Sequence, residues 1–282
     1  MKLCRYGKPG YEKPGIIDQD GKLRDLSKVV DNIGPNELSP RGLKMLSKLK
    51  PETLPLVNGN PRYGVPYVGI GKFIAIGLNY SDHAKEAGLP LPSEPIVFLK
   101  ATTCISGPND DVVQPRNSTK LDWEIELGIV IGTQTKYVSE AEALGHVAGY
   151  TIVNDVSERA FQMATTQWDK GKGFDTAGPI GPWLVTTDEI RDPQALDMAL
   201  EVNGKRMQSG NTRTMVFSCA QIISHVSQYM TLLPGDIICT GTPPGVGLGI
   251  KPNPVFLKPG DVMKLTIQGL GQQMQKVVPY SA

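Results

Sequence analysis

Three carboxylates at alternate positions, Asp122, Glu124 and Glu126, open the segment DWEIELGIVI at residues 122–131. In an extended chain, residues two apart share a face, so the three acids project to one side and Trp123, Ile125 and Leu127 to the other. Ile129-Val130-Ile131 is apolar on both faces and carries the strand towards the interior. Carboxylates side by side there lose hydration and repel one another. They either face water on a half-exposed strand or surround a cation, and oxygen ligands select Mg2+, Mn2+ or Ca2+ over zinc. Alternation alone leaves both readings open.

A further acid, Asp155, ends the apolar run Thr151-Ile152-Val153. A carboxylate at a strand end can reach a cation held by a neighbouring strand. Asp155 followed by Glu158 is also a capping-box arrangement, and one carboxylate has oxygens enough for both tasks. His83 and Glu86 stand three apart, after the strand-like Phe73 to Ile76, and would share a helix face. A carboxylate beside an imidazole raises its basicity and fixes its tautomer, as a general base requires; the same spacing also describes a surface pair. The other histidines, His146 and His225, read as structural. Lys172 lies in the glycine-spaced loop WDKGKGFD, which can bend a cation over an anionic ligand or lie solvated. Small residues in TGTPPGVG at 240–247 let backbone N–H groups approach a ligand, and the glycines do not follow the P-loop pattern.

The elements that must position these residues are mostly strands. Runs at Phe73 to Ile76, Pro95 to Leu99, Glu124 to Ile131, Val147 to Val153, Leu200 to Val202, Ile237 to Thr240 and Val262 to Ile267 read as extended. Asn203-Gly204 is a two-residue hairpin signal. Helices are expected near Arg41 to Leu49, after the Ser139/Glu142 capping box, after Asp192-Pro193, and from Phe217 to Met230, ended by Pro234-Gly235. Irregular interspersion of helices argues for α+β with a β-rich core rather than a βαβ repeat. Residues 1–65 are expected to form a small β-containing N-terminal domain, with the boundary punctuated by Gly59, Pro61, Gly64 and Pro66.

Composition narrows the function classes. The 282 residues carry 29 basic and 28 acidic side chains, a formal net charge of +1, so there is no electrostatic footprint for nucleic acid. The four cysteines form no CxxC motif and read as reduced residues. No apolar run approaches the ~18 residues of a membrane span, and the first residues lack an apolar signal region. A cytoplasmic protein is expected, with no nucleic-acid or membrane partner.

Taken in order, GLNYSDHAKE, DWEIELGIVIG, GYTIVNDVSER, KGKGFDT and LLPGDIICTGTPPGVG resemble the successive signatures of the fumarylacetoacetate hydrolase family, from about Phe73 to Val278. The resemblance implies a mixed β-sheet roll over residues 66–282, usually dimeric, after a variable N-terminal domain. It implies Mg2+ (or Mn2+) held by Glu124, Glu126 and Asp155, with Asp122 one layer behind. It further implies a water-activating dyad of His83 and Glu86, Lys172 on the substrate's carbonyl or carboxylate, and substrate contacts from Gln162, Thr242 and Tyr80.

The implied activity is hydrolysis of a carbon–carbon bond in a 2,4-dioxo acid, such as a 2,4-diketo-3-deoxy sugar acid, to pyruvate and a second acid. Oxaloacetate decarboxylation, hydroxymuconate-type isomerisation and ureidoglycolate lysis are the alternatives within the family. A non-catalytic metal- or ligand-binding protein is the alternative outside catalysis; it would need the acids but not a base. Residues 164–178, glycine-rich and carrying Lys172, are expected to act as a lid that orders on ligand binding.

Overall fold

The computed structural model describes residues 1–88 and 90–281, except for the side chains of His83 and Ala87, and places the run Ile125–Ile131 near the middle of its largest sheet. Every residue of that strand is buried, as its two-sided apolar sequence requires. The sheet runs in the order Leu23–Asp25, Lys13–Ile17, Lys2–Tyr6, Gly178–Thr186, Val147–Asn154, Ile125–Ile131, Ile237–Cys239, Phe73–Gly77 and Ile96–Lys100. Most neighbours are antiparallel, but Ile237–Cys239 runs parallel to Phe73–Gly77, so the sheet is mixed. A second sheet, Lys205–Asn211, Asp197–Val202, Val262–Ile267, Gly271–Pro279 and Val112–Gln114, packs over it. The α+β, β-rich architecture read from the sequence is the one observed.

Close packing of the central strands depends on Gly128. A Cβ there would lie 2.8 Å from the Val153 side chain and 3.1 Å from that of Ile237, on the two flanking strands. The hairpin signal at Asn203-Gly204 is realised, with φ of 51° and 78° at the two residues. The helix Cys219–Tyr229 is capped by Ser218, whose hydroxyl accepts from Gln221 N while the Gln221 side chain returns to the Ser218 backbone. It buries Ile222, Ile223 and Val226.

Two helix expectations change. The helix expected at Arg41 to Leu49 is Pro40–Leu46, started by Ser39 as cap. Asp192-Pro193 opens no helix; the Asp192 carboxylate accepts from Gln194 N, and this local turn competes successfully with a helical start. The four cysteines are buried and free. Among the described residues no helix is long and apolar enough to cross a membrane.

Candidate active site

Strand register brings the acids together. Ile125–Ile131 pairs antiparallel with Val147–Asn154, so that Glu126 faces Val153 and Ile125 faces Asn154. One step further out, Asp155 N donates to Glu124 O at 2.9 Å. Beyond that point Asp122 pairs with Ser157 and Leu121 with Glu158. The strand expected to run unbroken from Asp122 is thus interrupted at Trp123 and Glu124, yet the same register resumes on the other side. Glu124, Glu126 and Asp155 each place a carboxylate oxygen within 4.8 Å of the others.

None of these acids lies on a solvated strand face: Asp122 and Asp155 are fully buried, and Glu124 and Glu126 are 7% and 2% exposed. Nor is Asp155 a helix cap. That task falls to Glu158, which accepts from Phe161 N at the start of Arg159–Gln162.

Buried carboxylates need cations, and the structure supplies three. Lys172, in the short helix Asp169–Lys172, places Nζ 2.8 Å from Glu124 and 2.6 Å from Asp155. Arg159 bridges Asp122 at 2.8 Å and Glu124 at 2.6 Å. Lys100, fully buried at the end of Ile96–Lys100, donates to the other Asp155 oxygen at 2.5 Å, to the Lys172 carbonyl and to the Ala177 carbonyl at 3.1 Å. Sequence reasoning missed Arg159 and Lys100. The available signal was the acid cluster itself, which obliges the interior to hold cations, together with a lysine closing an apolar strand.

Glycine sets the approach of Lys172. A Cβ on Gly171 would lie 2.4 Å from Gln162 N, so only glycine lets the lysine-bearing helix lie against Arg159–Gln162.

Electrostatics divide the carboxylates. Burial pushes the Glu124 carboxyl up, but Lys172 and Arg159 outweigh it and hold the group well below the ordinary carboxylate range. Burial, and then the charges of Asp155 and Glu124, push the Glu126 carboxyl well above that range. Its Oε2 accepts from Gly241 N at 2.8 Å. Burial lowers the Lys100 ammonium, yet Asp155 more than compensates and keeps it protonated.

Three converging hard oxygen donors, one of them short of positive charge, suit a divalent cation. Glu124, Glu126 and Asp155 therefore fit a metal.

The acids open into a cavity of ≈ 470 Å³, lined also by Glu86, Arg159, Gln162, Lys172 and Thr242. The Glu86 carboxylate accepts from Gly245 N at 3.1 and 3.2 Å. It belongs to the helix Ser81–Ala87, which also contains His83; the His83 side chain lies outside the described residues. The turn before this helix is held by Asn79. Its amide donates to the Thr240 and Phe217 carbonyls and accepts from Phe217 N, a role the sequence did not announce.

Gln162 gives its oxygen to Arg159 Nη1 at 3.0 Å, so what it can offer a ligand is its NH2. Thr242 donates to the Ile125 carbonyl and accepts from Gln208, which commits its hydroxyl hydrogen. Tyr80, expected to touch substrate, is fully buried and donates to the Met198 sulfur instead. His146 and His225 line no part of the cavity. Trp168 stacks edge-on against Phe98, with ring centroids 5.4 Å apart, and covers one side.

This is the architecture of an α+β enzyme with a charged, oxygen-lined pocket at the end of a mixed sheet. The sequence model described as fumarylacetoacetate (FAA) hydrolase C-terminal matches residues 72–278. A protein of Burkholderia multivorans, whose name assigns it provisionally to the hydrolases, is 62% identical over 276 residues, covering 98% of each chain.

A solved fumarylacetoacetate hydrolase from Exiguobacterium antarcticum is 35% identical, with TM-score 0.89 over 99% of this chain and 100% of its own. Maleylpyruvate hydrolase from Sphingobium sp. SYK-6, solved with manganese(II) and pyruvate, is 29% identical, with TM-score 0.83 over 100% of both chains. The chain belongs to the fumarylacetoacetate hydrolase family.

Proposed function

We propose that this chain is a divalent-metal-dependent hydrolase that cleaves a carbon–carbon bond of a 2,4-dioxo acid, an acylpyruvate such as a 2,4-diketo-3-deoxy sugar acid. The products are pyruvate and a second acid. The observation that carries this reading is the oxygen set Glu124, Glu126 and Asp155 at the base of a cavity that Glu86 also lines. A related protein solved with manganese(II) and pyruvate supports it.

Glu124, Glu126 and Asp155 would hold Mg2+ or Mn2+, which supplies Lewis-acid polarisation to the 2-oxo acid end of the substrate. The chain's own residues do the rest. Lys172 and Arg159 present fixed positive charge beside the reacting carbonyls, in a water-poor setting where such charge acts most strongly. Gln162 offers an NH2 donor to a substrate oxygen. Glu86, with His83 on the same helix, takes a proton from water, which attacks the distal carbonyl. Cleavage leaves the electron pair on the pyruvate fragment, which is then protonated. A binding protein would need the acids but would gain nothing from Glu86 at the cavity wall.

The test is pyruvate release by the purified protein, with Mg2+ or with EDTA, from acylpyruvates, 2,4-diketo-3-deoxy sugar acids and oxaloacetate. Metal-dependent pyruvate without CO2 from a dioxo acid is the expected result. Release from oxaloacetate alone, with CO2, would replace hydrolysis by decarboxylation.

A further inference from the structure

The cavity has two unlike ends. At its base lie the buried acids and cations described above. The cations that line the cavity at this end are Arg159 and Lys172. A second anionic group at the far end of a ligand would have to be met by the rest of the wall.

Among the described residues, the rest of the wall offers little to meet it. Leu78, Phe98, Trp168 and Val246 line that wall, with the more exposed Met163 and Leu248 towards solvent, and the lining as a whole is more apolar than polar. Among the described lining residues, the ionisable groups outside the buried base are Glu86 and Lys251. Glu86 is itself acidic and packs against Gly249, where a Cβ would lie 2.9 Å from its carboxyl carbon. Lys251 is exposed at the rim, where pairing with an anion contributes little. A chain of hydroxyl groups fares no better, because polar groups taken from water into an apolar wall lose hydrogen bonds that the wall does not return.

We infer that the substrate is a monoanionic 2,4-dioxo acid whose acyl end is apolar or terminates in a methyl group, in preference to a second carboxylate or a polyhydroxylated tail. The inference rests on the 2-oxo acid reading above and narrows it. Within sugar-derived acids it selects those with a deoxygenated terminus.

The experiment is calorimetric binding to the Mg2+-loaded protein of three 2-oxo acids of equal chain length. These are 2-oxohexanoate, 6-hydroxy-2-oxohexanoate and 2-oxoadipate, with pyruvate as the baseline. Because it measures binding, it does not depend on turnover. 2-Oxohexanoate is expected to bind about 10- to 100-fold more tightly than either polar-ended acid, the range an apolar pocket achieves against an added polar group. Leu248→Asn, a change at a partly exposed wall position, is expected to narrow that ratio.

Equal or tighter binding of 2-oxoadipate would overturn the inference, decisively so if Lys251→Ala removed the advantage. So would equal binding of the hydroxy acid, or binding of none of the four. If magnesium altered none of the affinities, the metal-site reading of the function would fail, whereas the ranking of the three tails is read independently of it.

Discussion

Glu124 and Asp155 stand opposite each other across two antiparallel strands, joined by Asp155 N to Glu124 O at 2.9 Å, and one ammonium, Lys172 Nζ, bridges their carboxylates at 2.8 and 2.6 Å. Backbone pairing fixes the separation of the two acids, and Lys172 fixes their orientation. A cation that binds them therefore meets groups already organised, beside a Glu126 carboxyl that burial and its acidic neighbours hold well above the usual carboxylate range. The site is prepared by the sheet rather than by the loops around it.

Metal binding should stabilise the fold. A ligand that binds only the folded chain adds about 2.7 kcal/mol at a hundredfold excess over its Kd. Adding Mg2+ or Mn2+ to EDTA-treated protein is expected to raise the melting temperature by several degrees. Glu126→Gln is expected to abolish most of that rise, since it replaces one of the three carboxylates by a neutral, more weakly ligating amide. A thermal-shift titration of both proteins is the check, and an equal rise in the variant would place the metal elsewhere.

Arg159 neutralises two fully or nearly buried acids at once. Replacing it with methionine leaves Asp122 and Glu124 short of a partner. Breaking a buried pair from one side costs about 3–5 kcal/mol, a fall of about 10 °C in melting temperature for a chain of this size. Thermal denaturation measures it; a loss of only a degree or two would show that Lys172 and the N–H groups around Asp122 carry the load.

Gly171→Ala tests whether the Lys172 helix must sit where it does. The added methyl would meet Gln162 N at 2.4 Å and push Asp169–Lys172 away from Arg159–Gln162. Small misplacements of catalytic groups are costly. We expect kcat/KM to fall about 100-fold while the folded protein persists. Activity close to that of the parent chain would mean that Lys172 reaches the acids from a displaced helix.

Acid should weaken the N-terminal strands through Glu12. Partial burial pushes its carboxyl up, but the hydrogen bond from Arg62, with the charges of Arg5 and Arg62, holds it below the ordinary glutamate value of 4.5. A folded-state value below the unfolded one means that the unfolded chain binds more protons in that window, so stability rises with pH. The contribution is full above 4.5 and is lost as pH falls through the folded value. Melting curves of the parent and Glu12→Gln proteins should differ at pH 7 and converge as pH falls below 4.5 and through the folded-state value; a constant gap would refute the assignment.

Several features were legible in the residues alone. The alternation of Asp122, Glu124 and Glu126, the apolar run after them, the Asn203-Gly204 hairpin and the helix expected from Phe217 to Met230 are local patterns, and each was realised or nearly so. Order and spacing of the motifs identified the family, because a series of local patterns has few coincidental matches. Local chemistry also misled: Asp192-Pro193 has the composition of a helix start, and Asp155 with Glu158 that of a capping box. Neither is used that way: a tighter local turn to Gln194 N takes the Asp192 carboxylate, and the distant Lys100 and Lys172 take that of Asp155.

What only the tertiary structure decided is how the charges are paired. Sequence placed acids two residues apart on one strand, since strand periodicity is fixed by backbone geometry. That Asp155 lies opposite Glu124, that Lys100 reaches Asp155 from a strand 55 residues away, and that Arg159 rather than a solvent shell neutralises Asp122 follow from register and burial across the sheet. Those contacts join residues distant in the chain, and no local pattern encodes them.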